Sequence, residues 1–299
     1  MEKINLKIAL VKRIPLGLRK LLAASLAGLF YHLSCKHRLI ALHNLMRSFP
    51  GKPVREVTAI AKNSYRSFAL LAAEFCEIPY LNKDNLHQFI AIEGLENYLE
   101  ARQESKGVLL FGAHFGNWEI GNAALAINTE PFVFIYRILD NAFLEENITA
   151  VRSSYGNMSL SKENAMRPII RLLKKGRTVN LLVDQNVAWY DGVFVDFFGR
   201  QAATTSGLAL LALHTQAPVL PAFTYRQPDG KYILEIGNKV EIIRSADRRN
   251  DVLLNTQNFT RIIEDKIRRY PDQWFWMHQR WKTKPIQAKA RGNSAPCSK

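Results

Sequence analysis

A histidine and a glutamate five residues apart, His114 and Glu119 in GVLLFGAHFGNWEIGNAALA, are the pair in this chain best suited to moving a proton. The apolar run from Gly107 to Ala113 has the character of a buried strand, and it stops at the histidine. A helical pattern begins within three residues. Open α/β sheets carry their chemistry at such strand ends. Residues five apart do not share a helix face. The two side chains therefore meet only if His114 lies in the strand-to-helix turn and Glu119 on the helix that follows. Gly112 and Gly116 suit that turn, and Asn117 suits the cap. A carboxylate on one ring nitrogen would fix the tautomer and leave the other nitrogen to take a proton. The plainer reading is a packed histidine beside a surface or ion-paired glutamate.

Four further clusters bear on this pair. Phe134 to Arg137 is an apolar strand ending in a guanidinium, with Arg152 on the next helix. A guanidinium there can grip a phosphate bidentately; standing alone it is a surface charge. The run from Asn180 ends in Asp184, Gln185 and Asn186, groups with several hydrogen-bonding options or simply a polar loop. Val193–Gly199 sets aromatics before Arg200 and a small-residue segment with Thr204 and Thr205. A helix start with hydroxyls can receive an anion or a thioester oxygen, though core aromatics and a cap explain it too. Finally, three of the five tryptophans (Trp274, Trp276, Trp281) fall within eight residues, interleaved with cations. Interfacial belts, nucleic-acid platforms and structural aromatic clusters all have this composition. A Gly-x-Ser-x-Gly elbow, a Walker loop, a Gly-x-Gly-x-x-Gly turn and a His-Glu-x-x-His helix are absent from the sequence.

The elements that must position these groups follow from hydrophobic periodicity. The first eighty residues read as helical, with segments at Leu39–Phe49 and Val54–Glu77. From about His87 the pattern alternates. Strands are expected at Phe89–Ile92, Val108–Ala113, Phe132–Tyr136, Thr178–Val183, Val193–Phe197, Val219–Tyr225 and Tyr232–Ile236. Helices are expected at Leu95–Gln103, Asn117–Ile127, Ala142–Tyr155, Pro168–Lys175, Thr204–Thr215 and Asp251–Tyr270. Pro168 is placed at a first helical position, Gly176 at a stop, and Asp229-Gly230 in a hairpin. The expected fold is α/β, a mostly parallel central sheet flanked by helices. Three sections are expected: a helical, membrane-associating section at 1–85, an α/β domain at 86–285, and a basic, disordered tail at 286–299.

With 299 residues, 47% of them hydrophobic, the chain can bury a full core. Its 41 basic and 26 acidic residues leave a net charge of +15. Such a surface suits anionic lipid headgroups, nucleic acid or an acidic protein. Cys35, Cys76 and Cys297 lie far apart, with neither metal-ligand nor disulfide spacing. The stretch Leu21–Leu33 is apolar but shorter than the roughly 20 residues a spanning helix needs. Basic residues flank it on both sides (Lys12, Arg13, Arg19 and Lys20; Lys36, His37 and Arg38). That pattern favours a helix lying in a membrane interface, with an ordinary core helix as the alternative.

Taken in order, these blocks resemble the bacterial lipid A late acyltransferases of the lauroyl and myristoyl type, within the glycerolipid acyltransferases that carry a His-x-x-x-x-Asp/Glu motif. The likeness runs from about Leu16 to Pro285. It rests on His43-Asn44-Leu45 and Phe49-Pro50, then HFGNWE, Tyr136-Arg137, Arg152, VDQN, VFVDFFG with QAATTSG, Pro221 and WFWMHQRWKTKP. The resemblance implies transfer of a fatty acyl chain from an acyl thioester, on acyl carrier protein or coenzyme A, to a hydroxyl of a lipid A precursor. His114 would be general base and Glu119 its orienting partner. Arg137 and Arg152 would hold acceptor phosphates or sugar oxygens. Asp184, Gln185, Gly199, Thr204 and Thr205 would line the site. No metal and no cofactor beyond the thioester co-substrate is implied. The partners would be the donor, the acceptor and an anionic membrane surface, with no nucleic acid, at the cytoplasmic face of the bacterial inner membrane. Asn186 and Gln279 depart from the commoner pattern, and a Phe-Pro-Glu-Gly block is missing. These differences keep a lysophospholipid, glycolipid or aminolipid acceptor open. A basic membrane- or nucleic-acid-binding protein without catalysis is the alternative of another class.

Overall fold

The computed structural model describes residues 10–285. The expected tail at 286–299, with Cys297, lies outside the described residues. Three helices come first: α1 (Leu16–Leu33), α2 (Cys35–Ser48) and α3 (Val54–Phe75). The remaining helices are α4 (Leu95–Gln103), α5 (Trp118–Asn128), α6 (Ala142–Arg152), α7 (Met166–Lys174), α8 (Gly207–Thr215) and α9 (Arg248–Arg269). The strands are β1 (Ile90–Glu93), β2 (Val108–Gly112), β3 (Val133–Tyr136), β4 (Met158–Ser161), β5 (Thr178–Leu182), β6 (Gly192–Phe197), β7 (Arg200–Thr205), β8 (Val219–Arg226) and β9 (Tyr232–Ile236).

Seven strands form one sheet in the order β1-β9-β8-β2-β5-β3-β4. Every neighbouring pair is parallel except β8 and β9, which the Asp229-Gly230 hairpin joins antiparallel. Gly230 takes φ +87° in that turn, a conformation glycine adopts without a Cβ penalty. The expected α/β class with a mostly parallel sheet is therefore observed. Strand β2 is central and buried along its whole length. Leu109 and Phe111 face a core completed by α7, α8 and α9; Val108 and Leu110 face a second core against α4, α5 and α6. A strand covered on both faces reads as a continuous apolar run, which is what VLLFG is.

Several expectations need correction. Strand β4 was not anticipated: MSLS is short and mostly polar, and pairing with β3 creates it. Residues Thr204 and Thr205 do not open a helix. They end β7, which pairs antiparallel with β6 in a separate two-stranded sheet, and α8 begins at Gly207. Pro168 is the third residue of α7, not its first. The tryptophan-rich segment is neither an interfacial belt nor an exposed platform, since Trp274 and Trp276 are fully buried and Trp281 nearly so. Nor do the N-terminal helices stand apart. Ala27, Tyr31, Ala41, Leu45 and Ala61 share one apolar cluster with the sheet and with those tryptophans.

No described helix is long and apolar enough to cross a membrane. Helix α1 turns Arg19, Ala27 and Tyr31 inward and leaves Leu18, Leu22, Leu26, Leu29 and Leu33 exposed along its length. Of the basic residues ahead of the apolar stretch, Lys12 and Arg19 pair with Glu77, and Lys20 pairs with buried Glu74 at 2.9 Å. They anchor α1 to α3 rather than forming a free basic flank.

The turn after β2 depends on one close backbone approach. Gly116 has φ +56°, and a Cβ there would stand 1.8 Å from the Thr224 carbonyl oxygen of β8. Gly116→Ala is expected to destabilise the protein by about 3 kcal/mol or more. Thermal denaturation checks this, and an unchanged midpoint would contradict the packing described.

Candidate active site

Parallel register brings the reactive groups together. Gly112 of β2 stands opposite Leu182 of β5, and the Val183 amide donates to the Gly112 carbonyl at 3.1 Å. His114 and Asp184 each follow that pair by two residues, so both leave the sheet at the same edge. The His114 backbone amide donates to Asp184 Oδ2 at 3.0 Å, and His114 Nδ1 lies 2.9 Å from Asp184 Oδ1. The Trp274 indole N–H donates to Asp184 Oδ2 at 2.8 Å. Burial alone would push the Asp184 carboxyl up. The adjacent His114 charge and the hydrogen bonds from His114 and Trp274 outweigh it and hold the group down at about 2. A carboxylate ionised at every physiological pH thus fixes Nδ1–H and leaves His114 Nε2 with the lone pair. The amide Nε2 of exposed Gln185 stands 3.3 Å from that nitrogen.

Glu119 goes elsewhere. Asn117 caps α5 by accepting the Ile120 amide at 3.2 Å, and its own amide is held by Glu74 at 3.0 Å. From the second position of this helix, buried Glu119 meets Arg152 of α6, whose Nε donates to its two oxygens at 3.1 and 3.0 Å. It also accepts the Trp118 indole N–H at 2.9 Å. Trp118 stands edge-on to the imidazole with ring centroids 5.2 Å apart. The expected His114–Glu119 contact is therefore corrected: Asp184 holds the ring, and Glu119 is an ion-paired neighbour reached through Trp118. Sequence proximity suggested the glutamate, whereas sheet register supplies the aspartate.

The other expected residues divide. Asp184 and Gln185 are at the histidine. Arg152 is close by, but its charge is matched by Glu119. Arg137 is exposed and, among the described residues, pairs with Asp140 in its own loop, Nη2 to Oδ1 at 3.3 Å. Thr204 is buried, bridges to Asn186 and accepts from Arg280, so it packs behind the Asp184 loop. Thr205 caps the Gly207 amide at 3.2 Å. Gly199 sits in the turn between β6 and β7 at the opposite end of the hairpin from Thr204. Roughly 17 Å of extended chain separates the two, so Gly199 does not share the histidine's surroundings.

Comparison with known proteins gives the family. The family described as Bacterial lipid A biosynthesis acyltransferase matches residues 5–283. The chain belongs to that family. It is 28% identical to the lipid A biosynthesis palmitoleoyltransferase of Escherichia coli (strain K12), over 83% of this chain and 79% of that one. It is 27% identical to the lipid A biosynthesis lauroyltransferase of the same organism, over 92% and 89%. A phosphatidylinositol mannoside acyltransferase of Mycolicibacterium smegmatis is 26% identical over 77% and 75%.

In this acyltransferase the sequence reading missed two supporting groups. Trp274 lies 90 positions beyond Asp184, a separation no local pattern bridges. His278 is buried against the same loop, where its Nε2 accepts the Asn186 amide at 2.8 Å. Burial pushes the His278 imidazole down to about 4, against the pull of Asp184, with Arg280 and His114 adding to the depression. Among the described residues no cluster of three metal-ligating side chains forms.

Two outcomes follow from these contacts. In ¹⁵N spectra of the imidazole, Asp184→Asn should abolish the single Nδ1–H tautomer of His114, whereas Glu119→Gln should leave it in place. A tautomer lost only in Glu119→Gln would overturn the assignment. His278 is depressed in the folded state, so its neutral form stabilises the protein above the unfolded value near 6.5. That contribution is lost as pH falls toward about 4. His278→Gln should remove up to about one proton's worth of slope, roughly 1.4 kcal/mol per pH unit, from denaturant-derived stability measured in this window.

Proposed function

We propose that the protein transfers a fatty acyl chain from an acyl thioester to a hydroxyl of a lipid A precursor. The observation that carries this reading is a partly exposed imidazole with one nitrogen fixed by buried Asp184 and the other beside exposed Gln185. An alcohol is a weak nucleophile at neutral pH, and a positioned base gains about 10²–10⁴-fold. His114 Nε2 takes the hydroxyl proton as the oxygen attacks the thioester carbonyl. Asp184 stabilises the imidazolium that forms. The tetrahedral intermediate then expels the thiolate, to which His114 returns the proton. The donor is acyl carrier protein or coenzyme A carrying the thioester. Arg152, already neutralised by Glu119, suits a sugar or amide oxygen better than a phosphate. Such a pair can still orient the acceptor hydroxyl beside Trp118.

The proposed place is the cytoplasmic face of the inner membrane, and the exposed leucine face of α1 supports attachment to a membrane surface. A helix of this kind, not long and apolar enough to cross a membrane, suits the interface with its apolar side in the acyl region. The net charge of +15 adds attraction for anionic headgroups and for an acidic carrier protein. A glycolipid acceptor other than lipid A is the second reading, favoured by the likeness to a phosphatidylinositol mannoside acyltransferase.

The test is acyl transfer by the full chain in detergent micelles, with acyl carrier protein or coenzyme A thioesters and each acceptor class. A tetra-acylated disaccharide precursor should be acylated, and His114→Ala should lower the rate by about 10²–10⁴-fold. Acylation of a lysophospholipid or mannoside alone would overturn the lipid A reading.

A further inference from the structure

A cavity of about 390 Å³, which His114 does not line, opens between α2 and the C-terminal segment. Four of its lining residues are basic or titratable to cations: His43, Arg200, Lys282 and Lys284. Arg200 is half-buried, with its guanidinium carbon 3.5 Å above the Trp281 ring. Its Nη2 reaches Ser48 Oγ at 3.2 Å. Among the described residues no carboxylate pairs with Arg200, Arg47, Lys282 or Lys284. The strain of gathering these charges shows in their acidity. Burial and then Arg47 lower the Arg200 guanidinium to about 10. Burial followed by Arg47, Arg200 and Lys284 lowers His43. Buried Arg19 is matched by Glu77 and Arg152 by Glu119, and fully buried Arg280 is held by the Ala203 carbonyl and the Thr204 hydroxyl. Arg200, by contrast, lines an open cavity together with exposed Lys282 and Lys284, where an anion has access to all three.

The shape of the cavity narrows the ligand class. Leu39 and Ile40 of α2 form an apolar wall beside the cations, and Leu39 is exposed. The far wall is tied to the reacting groups. Asn186 and Thr283 exchange hydrogen bonds at 3.0 and 3.1 Å, and the Trp281 ring packs on Phe197, itself against Trp274. Arg200 sits at the turn end of the β6–β7 hairpin, roughly 13 Å of extended chain from Thr204 behind the Asp184 loop. A group bound there is a remote part of a long substrate.

We propose that this cavity binds a phosphate group of one of the two substrates, attached to an aliphatic portion that lies on the α2 wall. This rests on the acyl-transfer reading above. The phosphate is either the sugar phosphate of the acceptor or the phosphodiester of the donor's pantetheine arm. Remote binding energy of this kind is spent on aligning the reacting hydroxyl and carbonyl.

The test is equilibrium binding by the full chain in detergent micelles to two matched probe pairs. One pair is the phosphorylated acyl-disaccharide and its dephosphorylated form; the other is S-acyl-phosphopantetheine and S-acyl-pantetheine. Wild type should prefer the phosphorylated member of one pair by roughly 10- to 100-fold, and that pair identifies the source. Arg200→Met should reduce the preference to within about threefold while leaving the phosphate-free probe unchanged. Since Arg200 also packs on Trp281, Lys282→Met with Lys284→Met gives the same readout from exposed positions where folding is not at issue. No phosphate preference in wild type, or full preference in the exposed-lysine variant, overturns the proposal. Phosphate-dependent binding without acyl transfer to any acceptor would instead sink the catalytic reading and leave the pocket standing.

Discussion

The hydrogen-bonded chain from Trp274 through Asp184 to His114 is the constraint on which the rest of the molecule depends. A buried carboxylate is tolerated only when its oxygens are satisfied. Here two N–H groups of His114 and one indole satisfy them. Each donor requires a large piece of architecture. The histidine needs β2 beside β5 in fixed register, the indole needs the C-terminal segment folded across the sheet edge, and that segment needs α2 and α3. Asn44 of α2 donates to the Trp276 and His278 carbonyls at 3.0 and 2.9 Å, and Ser64 of α3 donates to the Trp274 carbonyl at 2.6 Å. The N-terminal helices are thus part of the site's scaffold as well as its apolar outer face.

How much of this was legible beforehand depended on distance along the chain. Strand β2 announced itself because burial on both faces leaves an unbroken apolar run. Helix α5 announced itself through Asn117, and Gly176 and Asp229-Gly230 marked their turns. Strand β4 and the β6–β7 hairpin were obscure because their polar or small residues become strands only through pairing. At the site, His114 was identifiable from its place at a strand end, and Asp184 from the same kind of place. Their partnership was not, because it comes from the order of strands in space. Equal offsets from two apolar runs were the available signal. Glu119 drew attention by nearness, and the ion-paired reading of that residue matches its bond with Arg152.

Charge is distributed less uniformly than a total of +15 suggests. Around α1 and α3, cations are paid off by Glu74 and Glu77. Glu74 also receives Asn117 and Tyr232, at 3.0 and 2.6 Å, so the helical section is electrostatically tied to the turn that carries His114. Around Arg200, at the turn end of the hairpin, Arg47, Lys282 and Lys284 have no carboxylate partner among the described residues. The molecule therefore offers an apolar helix face, a neutralised Glu119–Arg152 pair beside Trp118 and His114, and a cationic cavity at a distance, three chemically different environments on one chain.

The C-terminal segment carries a consequence for how the protein is made. Phe275 N–H donates to the His114 carbonyl at 3.2 Å, and Trp274 completes Asp184. A ribosome-bound chain that has emerged only through β9 possesses every sheet strand and both the histidine and the aspartate, yet lacks these clamps. The hydrogen-bonded surroundings of Asp184 and His114 are consequently complete only once the last segment of the described chain has been made.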